Sequence, residues 1–277
     1  MWKPDLRTGH LICFGYGYTA RYLASYLKTQ GWRVSATMRS VNLDTIDQVT
    51  LIDFENFDTD LFSDITHVLV SIPPGPMGDI VLSKHKELFL ENDQLDWIGY
   101  LSTTGVYGDT GGVLVDEDSR LNPTHERSKL RLLAEQAWLG LNQLHNLPVH
   151  VFRLAGIYGP GRNILEQIRA GKAQRIDSPD HKFSRIHVGD IINVLGASIA
   201  EPEPGEVYNV CDDGPATLSE IIEFACELLD VIPPAPITTN EAMRSMSPMA
   251  QAFWSDNRLV DNSKIKSSLK VLLTYPT

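Results

Sequence analysis

The apolar residues of the chain fall into two alternating rhythms. Leu11 to Phe14 is a short unbroken apolar run, and the turn Gly15-Tyr16-Gly17-Tyr18-Thr19 follows at once. Beyond the turn, Ala20, Leu23, Ala24 and Leu27 fall at i, i+3, i+4 and i+7, one face of a helix, and Gly31 stands where a left-handed cap would end it. Strand-like runs recur at Arg33 to Arg39, Val49 to Phe54, His67 to Ile72, Asp96 to Ser102, Pro148 to Gly161 and Glu206 to Cys211. Helical spacing separates them, at Asp79 to Leu90, Thr124 to Leu139, Asn163 to Gly171, from near Asp190 after Arg185 to His187, and at Thr217 to Leu229. The second of these sets Leu130, Leu133, Ala134, Ala137 and Trp138 on one face, with His125 and Lys129 stacked on one side; Thr217 or Ser219 caps the last. Strands alternating with helices predict an α/β fold, a Rossmann-like doubly wound parallel sheet whose ligands bind off the carboxyl ends of the strands. Pro73-Pro74-Gly75-Pro76 can continue neither strand nor helix, so this loop should cross that edge of the sheet. Gly108 to Asn122 reads as a surface loop. Thr238 to Asp256 reads as a mobile loop or lid, with Met243, Met246, Met249, Phe253 and Trp254 available for packing.

A strand running through glycines into a helix N-terminus makes an anion site, because the first helical N–H groups and the helix dipole face it. Here Gly15 serves the tight turn, Gly17 the close approach of a pyrophosphate and Ala20 the close helix–strand packing, so the backbone of Gly15, Tyr16, Gly17, Tyr18 and Thr19 is the candidate dinucleotide cradle. The end of the second strand chooses between cofactors. No Asp or Glu occurs between Gly31 and Asn42, while Arg39 lies 22 residues past Gly17. An arginine there suits the 2′-phosphate of NADP, with NAD the alternative; a solvated loop charge is the plainer reading. Asp53 ends the third strand, either accepting from an adenine amino group or serving a turn. Ser71, Ile72 and Pro73, then Ser102 and Thr103, then Leu154 and Ala155 lie on the same carboxyl edge.

Charge narrows the partners. The chain has 24 basic and 35 acidic residues in 277, a formal net charge of −11, which argues against nucleic acid and anionic membrane surfaces and leaves a small-molecule substrate. Cys13, Cys211 and Cys226 are widely spaced and read as buried free thiols; no metal-ligand spacing occurs. MWKPDLRTGH has no apolar core of a signal peptide and no run approaches a membrane span, so a cytoplasmic monomer or homodimer is expected.

Six segments in order carry a family resemblance: the glycine loop, STTGVYGD (Ser102 to Asp109), SKLRLLAEQ (Ser128 to Gln136), RLAGIYGPGRN (Arg153 to Asn163), RIHVGDI (Arg185 to Ile191) and VYNVCDDGPATLSEI (Val207 to Ile221), closed by VDNSKIKSSL (Val260 to Leu269). The chain resembles an extended, atypical short-chain dehydrogenase/reductase of the NAD-dependent epimerase/dehydratase family. The resemblance implies a dinucleotide-binding Rossmann domain over residues 1–160, with 185–212 returning to it, and a smaller substrate-binding region over 161–184 and 213–277. It also implies Thr103 as the active-site Ser/Thr and Lys129 as the active-site lysine. Two positions depart from the pattern. Phe14 and Ala20 replace the outer glycines of the loop, and His125 stands where the family has its catalytic tyrosine, four residues before Lys129.

Moving a hydride at a carbinol needs a donor polarising the oxygen and a group to exchange the proton. Thr103 offers the donor, or is a strand-end threonine bonded to backbone. His125 is the acid/base, since an imidazole titrates near neutrality, or a surface residue at a helix start. Lys129 holds ribose hydroxyls in either case. Tyr107 and Tyr158 are expected to pack, Arg153 to form a core-edge ion pair, and His187 to cap or pack. Two functions follow: an NADP-dependent oxidoreductase or epimerase-like enzyme acting on a hydroxyl or carbonyl of a small, sugar-like metabolite, or a binding protein that senses NADP without turnover.

Overall fold

The computed structural model describes residues 7–39, 48–57 and 59–277; the side chains of 248, 249, 252 and 253, and so the expected packing of Met249 and Phe253, lie outside the described set. The expectation drawn from the first residues of the chain also falls largely outside it.

Strands β1 (His10–Phe14), β2 (Arg33–Met38), β3 (Thr50–Asp53), β4 (His67–Val70) and β5 (Trp97–Thr103) enter one seven-stranded sheet. After the two-residue β6 (Leu114–Val115), β7 (Val149–Leu154) joins the sheet, β8 (Gly156–Tyr158), β9 (Ile176–Asp177) and β10 (Arg185–His187) do not, and β11 (Val207–Val210) completes it. The order is β11-β7-β5-β4-β1-β2-β3 and every pairing is parallel. The chain builds outward from β1 to one side and then, from β4, to the other. The switch point therefore lies between β1 and β4, where such sheets open a crevice for ligands.

Because a strand's side chains alternate, β1 feeds two cores. Leu11 and Cys13 join Ala20, Leu23, Ala24 and Leu27 of α1 (Tyr18–Thr29), the face expected from spacing, while Ile12 and Phe14 join Val81 and Phe89 of α2 (Ile80–Glu91) and Trp138 of α3 (Glu126–His145). Asp79 caps α2 by accepting from the Val81 and Leu82 N–H groups. Further on, α4 (Ile164–Arg169) is short, α5 (Val188–Ala200) packs beside α1, and α6 (Leu218–Leu229) starts at a capping box between Thr217 and Glu220. All three cysteines are buried free thiols, and burial pushes the Cys13 thiol up to about 12.

Three expectations are corrected. The strand expected over Pro148 to Gly161 is two, because the chain changes partners at Ala155: its N–H bonds Val210 in the sheet, and that of Gly156 bonds Ser184 beside β10. Helix α3 runs on to His145 with a rotated inner face. Leu133 is 61% exposed and Ala137 is exposed, while Ala134, Glu135, Trp138 and Leu141 are buried. Spacing treats a glutamate as an outer residue; here Arg153 meets it. Finally, the expected lid over Thr238 to Asp256 is two capped helices, α7 (Thr239–Ser245) and α8 (Pro248–Ser255), with Thr238 and Ser247 as their caps. They follow β12 (Ile237–Thr238), paired with β9, and precede β13 (Leu259–Val260), which pairs with β6 inside the expected loop, and α9 (Ser263–Ser267). Trp254, Ala242, Met243 and Met246 form a small core with Ile176 and Phe183.

Among the described residues no helix is long and apolar enough to cross a membrane, and no group of three His, Cys, Asp or Glu side chains could hold a metal ion. Asp212, just past β11, is buried, and its Oδ2 has no hydrogen-bond partner among the described residues. Burial pushes its carboxyl up from 3.8 to about 6, against the opposing charge of Arg185. Between those values the folded protein holds a proton that the unfolded chain releases, so this group's stabilising contribution is full at low pH and is lost as pH rises toward 6. Asp212→Asn should therefore gain stability relative to the parent as pH rises over this window. Paired thermal melts from pH 4 to 8 check it, and a constant difference would refute it.

Candidate functional site

The turn after β1 is pinned from both neighbouring strands. Gly15 has φ +92°, and a Cβ there would lie 2.8 Å from Ser71 Oγ and 2.9 Å from Ile72 Cγ1. Its N–H donates to Thr37 Oγ1 of β2 at 3.0 Å, and its carbonyl accepts from Ser71 Oγ beyond β4 at 3.0 Å. Gly17 differs: it is extended (φ −84°, ψ −168°), and a Cβ there would meet nothing within 4 Å. It keeps space open in front of α1. No side chain caps that helix, and its first turn carries no carboxylate. Its leading N–H groups and dipole thus face an open shelf, the arrangement that receives a phosphate.

Around this shelf Tyr16 and Thr19 turn inward, Tyr16 packing under the Arg21 guanidinium at 5.3 Å. Tyr18 reaches across the edge, its hydroxyl donating to the Pro160 carbonyl at 2.9 Å with Arg162 over its ring. Arg39 is exposed one residue past β2. Asp53 serves a turn: its carboxylate accepts from the Glu55 N–H and from Asn56 Nδ2, both at 2.9 Å, and the Asn56 bond, then the Glu55 bond, holds its carboxyl below the usual range. Ser71 and Ile72 donate their N–H groups to the Phe14 carbonyl, leading into Pro73 at the sheet edge. In register, Thr103 pairs with Leu154, and buried Ala155 follows.

Thr103 Oγ1 accepts from the Gly105 N–H at 3.1 Å and caps a one-turn 3₁₀ helix, Thr104–Tyr107; its own proton remains available to donate. The start of α3 sits close against this turn, since a Cβ on Gly105 would lie 2.7 Å from Ser128 Oγ. Lys129 is exposed and forms no ion pair among the described residues. His125 corrects the expectation of a helical stack. It is the N-cap of α3, extended at φ −105° and ψ 148°, and its carbonyl accepts the Lys129 N–H at 3.0 Å. Its ring turns to the far end of the chain, with Nε2 2.6 Å from Ser255 Oγ and 3.4 Å from Asp256 Oδ1. Neither partner was visible in the sequence, Ser255 being 130 residues away and Asp256 one further, both within the expected lid.

Behind the edge lies a buried polar network. Ser102 and Arg153 are cross-strand neighbours, and both reach Glu135 of α3: Ser102 Oγ donates at 2.8 Å, and Arg153 binds through Nε at 3.1 Å and more closely through Nη2. Arg153 Nη1 also donates to Tyr107 Oη at 2.8 Å, and Tyr107 donates to Asn209 Oδ1 at 2.7 Å. Burial disfavours the Arg153 charge, yet its bonds to Glu135 outweigh this and hold its pKa above the ordinary value. Burial likewise pushes Tyr107 up to about 12, so with its hydroxyl engaged it packs as expected. His187 caps α5, its Nδ1 accepting the Gly189 N–H at 3.0 Å.

A cavity of about 280 Å³ lies at the opposite, amino ends of β1 to β3. On its wall His10 bridges Ser35 Oγ (2.9 Å, Nε2) and Asp64 (3.0 Å, Nδ1). Ser35 sits inside the ladder, paired with Ile12 and Thr50, so its neighbouring N–H groups are not gathered into an oxyanion hole.

A parallel sheet with its switch point beside β1 and an open glycine shelf in front of α1 define a Rossmann-type α/β protein. No family model matches the chain. It is 43% identical to a conserved protein of unknown function from Silicibacter pomeroyi DSS, with a TM-score of 0.88 over 98% of this chain and 95% of that one. It is also 28% identical to Protein YeeZ of Escherichia coli (strain K12) over 95% of this chain and 94% of that protein. The UDP-glucuronic acid 4-epimerase of Bacillus cereus, solved with UDP-glucuronic acid and NAD, superposes with a TM-score of 0.77 at 18% identity, over 96% of this chain and 94% of that one. The chain belongs to the family of the Silicibacter protein, and its fold is that of the NAD-dependent epimerases and dehydratases.

Proposed function

We propose that the protein binds a nicotinamide dinucleotide, NADP in preference to NAD, and acts as an oxidoreductase or epimerase-like enzyme on a hydroxyl or carbonyl of a small sugar-like metabolite. The carrying observation is the uncapped α1 N-terminus behind the open space at Gly17. That space and those donors fit a diphosphate, with Ser71 to Pro73, Ser102, Leu154 and Ala155 as further edge contacts. The Bacillus cereus epimerase, solved with NAD and a sugar nucleotide, supports a nicotinamide dinucleotide and a sugar-like substrate class. Bound there, the nicotinamide would donate or accept a hydride. The chain supplies the rest: Thr103 donates to the reacting oxygen, His125 takes or returns its proton, and Lys129 holds ribose hydroxyls. Residues 161–184 and 213–277 provide the substrate side, in a cytoplasmic monomer or homodimer.

Fluorescence-monitored binding of NADPH and NADH, then a panel of carbonyl compounds and sugar nucleotides, tests the proposal; absence of any dinucleotide binding refutes it. His125→Ala should cut turnover by about 10²-fold or more and spare cofactor affinity, the usual worth of a positioned acid/base. Equal turnover in the variant would remove His125 from the chemistry. Arg39→Ala should weaken NADPH binding about tenfold, the worth of one charge-assisted contact, and leave NADH binding unchanged. Calorimetry reads this directly, and equal losses for both dinucleotides would refute a 2′-phosphate role. The histidine in the tyrosine position favours a second reading, a sensor of NADP without turnover; steady oxidation of NADPH with any member of the panel excludes it.

A further inference from the structure

We infer that Asp256, assisted by Ser255, is a positioning residue for His125: it keeps the ring proton on Nε2 and leaves Nδ1 as the nitrogen that exchanges a proton with substrate. The inference deepens the proposed function and rests on its assignment of His125 as acid/base.

Asp256 is held before His125 reaches it. Its side chain is 3% exposed; Oδ1 accepts from Thr124 Oγ1 at 2.7 Å and Oδ2 from Arg258 Nη1 at 2.9 Å. Arg258 Nη1 also donates to the Gly108 carbonyl at 3.1 Å, and Gly108 ends the turn that Thr103 caps. Next to it, Asp109 Oδ1 accepts the Asn257 N–H, and the Asn257 carbonyl accepts the N–H groups of Thr110 and Gly112. Residues 256–258 are thus clamped to the turn carrying Thr103 and the segment after it, and hydrogen bonds run from Asp256 through Arg258 to Gly108, with the His125 ring 3.4 Å from Asp256.

The same clamp decides the tautomer. Asp256 presents only lone pairs to Nε2 at 3.4 Å, while the Ser255 hydroxyl at 2.6 Å can donate or accept. A lone pair on Nε2 would lie 3.4 Å from the carboxylate's lone pairs, whereas a proton there meets the Ser255 oxygen at 2.6 Å and is attracted by the nearby carboxylate charge. Nε2–H is therefore favoured, and the basic lone pair falls to Nδ1. Serine and carboxylate approach the same nitrogen, which is not the arrangement of a nucleophilic triad, where they occupy opposite nitrogens. In the oxidative direction the substrate O–H bond breaks and its proton passes to Nδ1. A bound dinucleotide would take the C–H electron pair as hydride, and the imidazolium formed keeps its Nε2–H on the side of Ser255 and Asp256.

The test uses the full-length protein in ¹⁵N NMR of the histidine rings, with His125→Gln for assignment, and NADPH-dependent reduction of 9,10-phenanthrenequinone as a carbonyl probe. At pH 8 the His125 ring should be the Nε2–H tautomer, its proton exchanging with water about tenfold more slowly than that of exposed His145, as for a held donor. Asp256→Asn and Ser255→Ala should each lose this protection, and the serine variant serves if the buried change impairs folding. Asp256→Asn should lower turnover by up to about 10²-fold without changing cofactor affinity, the cost of a misplaced catalytic group, and should add nothing in a His125→Ala background. A dominant Nδ1–H tautomer in the parent protein, or protection unchanged in both variants, overturns the inference. Undiminished turnover in His125→Ala overturns the acid/base assignment and the inference with it, whereas a crippled His125→Ala beside fully active Asp256 and Ser255 variants overturns the inference alone.

Discussion

Gly17→Asp is expected to abolish dinucleotide binding while leaving the protein as stable as the parent or slightly more so. The two halves have opposite physical causes. Gly17 is the N-cap of α1 in an extended conformation open to any L-residue, and a Cβ there meets nothing within 4 Å. Aspartate is a preferred N-cap, worth a few tenths of a kcal/mol over glycine, because its carboxylate accepts the leading N–H groups. Those are the groups assigned to the diphosphate, and the new charge would sit about 4 Å from it, a repulsion of about 4 kcal/mol at a partly screened surface. Affinity for NADPH and NADH alike should fall by more than about 10²-fold, since each 1.4 kcal/mol is tenfold. Titration calorimetry paired with thermal melts reads both halves. Retained affinity would show that the shelf is not the phosphate site. Gly15 is the less informative target: its φ of +92° and its contacts with Ser71 and Ile72 mean that substitution there costs stability too.

What the sequence made legible was what depends on one element at a time. The β1–turn–α1 unit and the parallel sheet follow from local spacing, because apolar periodicity and glycine chemistry act within about twenty residues. The Thr217 cap and the buried thiols were readable for the same reason. What was missed depends on contacts distant in the chain. Glu135 reads as an outer helical residue until Arg153 is brought beside it from β7. The break at Ala155 is set by Ser184 and Val210, which offer the next partners. Residues 238–256 look like a lid because Ser, Asn and Pro are loop residues by composition, yet here Thr238 and Ser247 are caps and Pro248 sits in a helix's first turn, where it is tolerated. The candidate site divides along the same line. The turn at Gly17, the strand end at Thr103 and the helix carrying Lys129 follow from local spacing, but the surroundings of His125 do not, since Ser255 and Asp256 arrive from residues 238–256.

Glu135→Ala should cost about 3–5 kcal/mol of folding stability, the usual penalty for breaking a buried ion pair by removing one partner. The penalty comes less from lost attraction than from what is left behind. Arg153 has a side chain only 4% exposed, and without Glu135 its remaining bonds go to uncharged oxygens, the Tyr107 hydroxyl and the Glu117 carbonyl. Ser102 would lose its acceptor in the same step. For a chain of this size the loss corresponds to a fall in Tm of roughly 10 °C. Replacing both charges by apolar residues of similar volume, Glu135→Leu with Arg153→Met, should recover much of it, because no buried charge then lacks a partner. The recovered fold should still be poorer at turnover than at binding. The glycine shelf is braced by Thr37 and Ser71, whose bonds to Gly15 involve no member of this network, whereas the Thr103 turn contains Tyr107, whose hydroxyl Arg153 holds. Denaturant titrations of parent, single and double variants, run beside NADPH binding and probe reduction, separate the two effects. A single variant that loses under 1 kcal/mol would mean that water reaches the Arg153 guanidinium and that the pair is not the buried brace of this strand edge.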